Sequence, residues 1–144
     1  MAGEHPQGLL DTNIVILRKW IDPAQLPAEM AITAVTLAEL SAGPHQVRSD
    51  AGYNEHAERA RRMSILQQVE SEFDPIPFDA GAARIYGRIC AAVVAAGRTP
   101  RRRVADLMIA SIAVAEELPL FTTNPDDFKG LEDLLAVVPV AHPS

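Results

Sequence analysis

Gly8 to Leu17 read GLLDTNIVIL, a short apolar run that ends on Asp11 and a second that begins just after it. The first is β-like, and the second continues through NIVILRKW in a helical pattern. The same handover recurs down the chain. MAIT precedes VTLAELSAG, PIPF precedes DAGAARIYGRICAAVVAAG, LPLFTT follows a long apolar helix pattern, and LAVVPV lies near the end. Short strands alternating with helices predict an α/β fold on a largely parallel central sheet. Punctuation agrees: Gly43 and Pro44 stop the helix that carries Glu39, Asp79 caps the helix running to Gly97, and Pro119 separates a helix from the strand after it. YNEHAERARRMSILQQVESEF predicts an amphipathic helix with Met63, Leu66 and Val69 on its apolar face and its charges facing solvent.

A chain of 144 residues, 48% hydrophobic with a mean hydropathy of +0.04, suffices for one domain with a sizeable core. We expect a single domain over residues 1–144, with a flexible tail at residues 1–7. No stretch resembles a signal peptide and no apolar run reaches the roughly 18 residues of a membrane span, so the expected location is cytoplasmic, with no membrane partner. Cys90, the one cysteine, excludes a disulfide framework and a thiolate zinc site and is expected to be buried on its helix. His5, His45, His56 and His142 lack the short pairing that a zinc site requires. A net charge of −6 and a pI near 5.1 argue against indiscriminate electrostatic binding of nucleic acid, and 5% aromatic content offers no obvious stacking platform.

An unpaired ionised carboxylate costs several kcal/mol to bury. VADLMIASIAVA, Val104 to Ala115, nonetheless carries Asp106 as its single ionisable group. Asp11 stands between two apolar runs, and Glu39 is the only charge between Glu29 and His45. A salt bridge to Arg101, Arg102 or Arg103 would account for Asp106 alone, but not for three acids in three separated apolar segments. In parallel α/β sheets, ligands bind outside the carboxyl ends of the strands. Asp11 follows the first strand, Glu39 lies early in the helix after the second, Asp106 sits near the start of its helix, and TTNPDDF, Thr122 to Phe128, follows LPLF. Carboxylates gathered there repel one another unless a hard cation, magnesium or manganese, neutralises them. Such a site binds phosphate and lowers the pKa of a bound water for in-line attack, which predicts phosphodiester hydrolysis.

LLDTN (Leu9 to Asn13), TLAELSAG (Thr36 to Gly43), VADLMIASIA (Val104 to Ala113) and TTNPDDF, in this order and spacing, resemble the PIN-domain ribonucleases, specifically the VapC-type toxins of prokaryotic toxin-antitoxin pairs. The resemblance runs from near the start of the chain to near its end and implies a single PIN-like α/β/α sandwich. By it, Asp11, Glu39 and Asp106 match the three acids of the family's metal site and Asp127 matches the fourth, with Asp126 as the neighbouring alternative. Asn13, Thr122 and Asn124 match polar positions that orient the acids or a water. As residue types they serve equally as caps and turn formers. The resemblance further implies an endoribonuclease dependent on Mg2+ or Mn2+, acting on RNA, forming a homodimer and inhibited by a cognate antitoxin whose tail enters the acidic groove.

RTPRRR, Arg98 to Arg103, concentrates basic residues just before Asp106. Arg101, Arg102 and Arg103 are candidate partners for RNA phosphate, the alternative being a solvated loop. Two other classes stay open. An aspartyl phosphotransferase or phosphatase would use Asp11 as nucleophile, although position 13 is Asn where that chemistry wants a second Asp, and Lys19 and Lys129 are the only lysines. A catalytically silent PIN-like binding partner would keep the fold, and retention of all four acids counts against it.

Overall fold

The structure, a computed structural model, describes residues 5–49, 52 and 54–143. Among them, strands β1 (Gln7–Leu10), β2 (Glu29–Ala31), β3 (Leu120–Thr122) and β4 (Val137–Pro139) form one sheet in the order β2-β1-β3-β4. Every pairing between these strands is parallel. Parallel neighbours need crossovers: α1 (Thr12–Leu17) lies in the first, α2 (Ala34–Ala42), α3 (Glu55–Glu72), α4 (Ala80–Ala95) and α5 (Val104–Ala115) in the second, and the short turn Pro125–Phe128 in the third. Of the tail expected over residues 1–7, residues 1–4 lie outside the described residues, while Gln7 already pairs with Glu29 in the sheet.

Successive strand residues point to opposite faces of a sheet. Leu9 and Leu10 are both fully buried, and so are Leu120 and Phe121, so both faces of the central strands are apolar. Leu9 and Leu120 pack with Ile89 and Val93 of α4 and Leu107 and Ile109 of α5. Leu10 and Phe121 pack with Ile14 of α1, Leu40 of α2 and Val69 of α3. The sheet is therefore sandwiched between two helical layers, the expected α/β/α arrangement.

The caps fall where the sequence puts them. Asp79 accepts a hydrogen bond from the Ala82 amide at the start of α4, Gly43 ends α2, and Gly97 turns the chain after α4 at φ +78°. Three expectations are corrected. PIPF contributes a single bridge instead of a strand: Ile76 donates to Ile32 O and accepts from Ala34 N, while Pro75 and Pro77 on either side have no N–H to extend the ladder. In α3, Met63 is exposed, Leu66 half-buried and Val69 buried, with Ile65 joining the inner face. Steps of three residues rotate a stripe by about 60° each on a helix of 3.6 residues per turn, so Met63 has swung out where Val69 points in. Cys90, expected to be buried, is the third: it is half-buried and free, packed against the core from its edge.

The topology fixes where a site can form. β2 adds on one side of β1 and β3 on the other, so the chain reverses its winding between β1 and β3 and opens a crevice at their carboxyl ends. The Asp11 amide donates to Phe121 O at 3.0 Å, tying those two ends together.

Gly8 is required by the tightness of this sheet. A methyl group there would stand 2.7 Å from Phe121 Cδ1 and 3.0 Å from Pro27 Cγ, inside van der Waals distance of side chains that are both buried. Gly8→Ala should therefore destabilise the fold by about 1–3 kcal/mol through overpacking, read as a lowered urea midpoint with an unchanged m-value.

Candidate active site

Asp11 sits at the carboxyl end of β1 and caps α1, its Oδ1 accepting from the Thr12 amide at 2.9 Å. Its Oδ2 accepts from Thr122 Oγ1, also at 2.9 Å, across from the end of β3. Only 5% exposed, it has a pKa raised above the ordinary aspartate value, chiefly by desolvation. The two hydrogen bonds oppose that rise, while the charges of Glu39 and Asp127 add to it. Glu39, in the second turn of α2, accepts from Thr12 Oγ1 at 2.6 Å, and Thr12 Oγ1 also lies 2.9 Å from the buried Thr36 hydroxyl.

Asp106 occupies the first turn of α5. Its pKa is pushed up to about 6, first by desolvation and then by the charges of Asp11, Asp127 and Glu39, with Arg103 pulling the other way. Arg103 does not pair with it; its guanidinium lies 2.5 Å from Asp127 Oδ1. The salt bridge that would have explained Asp106 locally is thus absent, and the opposing charge sits on another acid.

Asp11, Glu39 and Asp106 line one cleft of about 370 Å³, together with Asn13 and with Arg61 and Arg62 of α3. Asp127 stands outside that lining yet close enough for its charge to act on both Asp11 and Asp106. Asp126 does not join them: it is strongly exposed and lies 3.6 Å from Lys129. Among the described residues, no three acidic, His or Cys side chains stand close enough together, as placed, to hold a metal ion. The donor set nonetheless suits a hard divalent cation. Its donors are oxygen atoms, carboxylates with neighbouring amide and hydroxyl groups, and the cleft lining includes no thiol or imidazole.

The remaining candidates separate. Thr122 touches an acid directly and also accepts from the Asn124 amide at 3.0 Å. Asn124 turns its side chain to Thr123 Oγ1 and its carbonyl to the Asp127 amide, so it shapes the turn that carries Asp127. Asn13 is exposed on the cleft lining. Arg101 and Arg102 are exposed, and Arg98 is spent on the carbonyl of Asp126 at 2.8 Å. Arg61 and Arg62 were legible only as part of a solvated charge run. Both reach Glu58, and Arg62 also donates to Gly43 O at 2.9 Å, which holds α3 against the end of α2.

A family model described as the PIN domain matches residues 9–134. The chain belongs to the PIN-domain family. Ribonuclease VapC5 of Mycobacterium tuberculosis is 35% identical over 133 residues, covering 90% of this chain and 91% of that protein. Among solved structures, VapBC-5 of Mycobacterium tuberculosis, a member of the VapBC family of toxin-antitoxin systems, is 32% identical with a TM-score of 0.76, over 95% of this chain and 99% of that one. VapBC2 of Rickettsia felis, bound to a DNA fragment from their promoter, is 26% identical with a TM-score of 0.68, over 90% and 96%. Among the described residues of this PIN domain, no helix is long and apolar enough to cross a membrane.

The raised pKa of Asp106 fixes the sign of a stability change. Between roughly pH 4, where unfolded aspartate ionises, and about pH 6, the native state holds a proton that the unfolded chain has lost. Stability from this group is therefore present at the acid end and lost as pH rises through about 6. Asp106 is only half-buried, so solvent screening limits the effect to about 1 kcal/mol. In chelator at pH 7, Asp106→Asn should be as stable as the parent or about 1 kcal/mol more so, and should flatten the decline between pH 4 and 6. A buried partner of arginine would instead cost roughly 3–5 kcal/mol on neutralisation. Urea unfolding of both proteins at two pH values separates the outcomes.

Proposed function

We propose that this PIN domain is a cytoplasmic endoribonuclease that hydrolyses RNA phosphodiester bonds with Mg2+ or Mn2+, acting as the toxin of a toxin-antitoxin pair. One observation carries the reading: acids from the end of β1, from α2 and from α5 converge on a single cleft at the winding reversal of the sheet, and Asp106 lacks an ion pair there among the described residues. The likeness to ribonuclease VapC5 supports the substrate class. The likeness to the VapBC assemblies supports a cognate antitoxin as partner. By the same family resemblance, the working unit is a homodimer.

Asp11, Glu39, Asp106 and Asp127 would hold the cation. Bound there, it supplies charge neutralisation and Lewis-acid polarisation for phosphodiester hydrolysis. The chain's own residues do the rest. Thr122 and the Thr12 amide fix both oxygens of Asp11, so its carboxylate faces the cleft in one orientation. Thr12 Oγ1 holds Glu39 in the same way from the other side. Asn13, on the lining, is available to orient a water or a phosphate oxygen. Arg103 balances Asp127, leaving Arg101 and Arg102 exposed to meet RNA phosphates beside the acids. The phosphotransferase alternative loses ground, because neither Lys19 nor Lys129 lines the cleft.

Purified protein incubated with single-stranded RNA should cleave it when Mg2+ or Mn2+ is added and stop in excess chelator, and Asp106→Asn should be inactive. Added antitoxin should suppress the cleavage. Undiminished cleavage in chelator would overturn the metal assignment, and phosphoryl labelling of Asp11 would revive the phosphotransferase. Separately, Arg101→Gln with Arg102→Gln should weaken RNA binding and reduce the log-log salt slope by about 0.7 for every single-strand phosphate that is no longer neutralised. An unchanged slope would make the run a solvated loop.

A further inference from the structure

The acidic cleft does not end at Arg61. A second groove, of about 350 Å³, shares Ile16, Arg61 and Ile65 with it and runs between α3 and the single turn Arg18–Trp20 that follows α1. Its lining holds Arg18, Lys19 and Arg61 and no acid, in a protein whose net charge is −6, although Arg61 is held by Glu58 from outside the lining. Arg18 is paired with Glu72 and also lies 5.2 Å from the centre of the Phe73 ring, which fixes that end of the groove. At the mouth stands Trp20, the chain's one tryptophan, 54% exposed with Lys19 Nζ 4.4 Å from its ring centre. An indole left this open costs free energy to hydrate, and its face opposite Lys19 is a surface on which a base can stack.

We infer that the groove from Arg61 to Trp20 is a subsite for single-stranded RNA, in which a nucleobase flanking the cleaved bond stacks on the Trp20 indole. Its substrate class rests on the ribonuclease reading above; its place rests on the continuity of the two grooves, the charge of the lining and the exposed ring. The strand passes the acids and the shared wall at Arg61, and lays one base on the face of Trp20 that Lys19 leaves open. Stacking of this kind tolerates any base, because every base has a π-face. The subsite therefore adds affinity and register without reading sequence.

Trp20 reports on itself, since intrinsic emission has no other tryptophan source. The full chain, in chelator, is titrated with a short single-stranded RNA and with a series of the same RNA made abasic at one position at a time. The intact RNA should quench the emission saturably; one abasic position should abolish the quench and weaken binding about tenfold. With Mg2+ present, Trp20→Ala should raise KM about tenfold with kcat unchanged, and Trp20→Phe should recover most of the loss; circular dichroism and thermal melting check that both variants fold. RNA that is bound and cleaved with tryptophan emission unchanged would overturn the inference. So would a quench that survives every abasic position, or a quench by the antitoxin with none by RNA, which would make the groove a protein-docking face. Quenching by RNA without any cleavage in Mg2+ or Mn2+ would sink the ribonuclease reading and leave the subsite standing.

Discussion

Asp11 is held in the seam between β1 and β3, and the cleft is organised around keeping its carboxylate there. Burial alone raises its pKa and disfavours the charge. The Thr122 hydroxyl and the Thr12 amide oppose that tendency, one from the neighbouring strand and one from the helix that Asp11 itself caps. Its own amide completes the link by bonding Phe121 O. One residue thus joins two strands, starts a helix and opens the site. Local structure and function are coupled through the same few atoms.

From that anchor the distribution of charge follows. The hydroxyls of Thr12 and Thr36 carry the arrangement from the end of β1 to Glu39 of α2, and the Asp11 carboxylate links it to Thr122 at the end of β3. Asp127 has a cation beside it in Arg103, whereas Asp106 feels three carboxylates and only the fringe of one guanidinium. Clustered acids that a fold does not neutralise destabilise it at neutral pH, a cost that functional sites commonly carry. The same excess of acid is what the proposed hard cation would neutralise. The cations that could have neutralised the patch are committed elsewhere: Arg61 and Arg62 to Glu58, and Arg98 to the turn bearing Asp126.

The proposed RNA substrate would set a polyanion against an acidic protein, a conflict that net charge alone cannot resolve. Screening confines exposed charges to a range of about 10 Å at ordinary salt, so local grouping decides. Acids gather at the strand ends, while Arg101 and Arg102 lie exposed on one flank and Arg61 leads to the groove of Trp20 on another. The low aromatic content read from composition is correct as a percentage. It conceals that the single tryptophan is placed in the open, beside the cleft.

The sequence by itself determined the βα alternation, the covered sheet and the identity of three acids. Periodicity and burial are local properties, and a lone charge in an apolar run, as at Asp11, Glu39 or Asp106, is conspicuous without coordinates. It also carried the caps at Asp79 and Gly43, because those depend on the next few residues only. What the tertiary structure decided lies between elements distant in the chain. Asp127 rather than Asp126 faces the cluster because the turn after Asn124 aims it there, and Arg103 pairs with that acid instead of Asp106. PIPF fails as a strand because two prolines remove the donors a ladder needs, and the rotation of α3 turns Met63 outward and Arg61 into the cleft. Pairing energies fall steeply with separation, and separation across a fold is set by how helices seat on a sheet, a quantity that no local pattern of residues encodes.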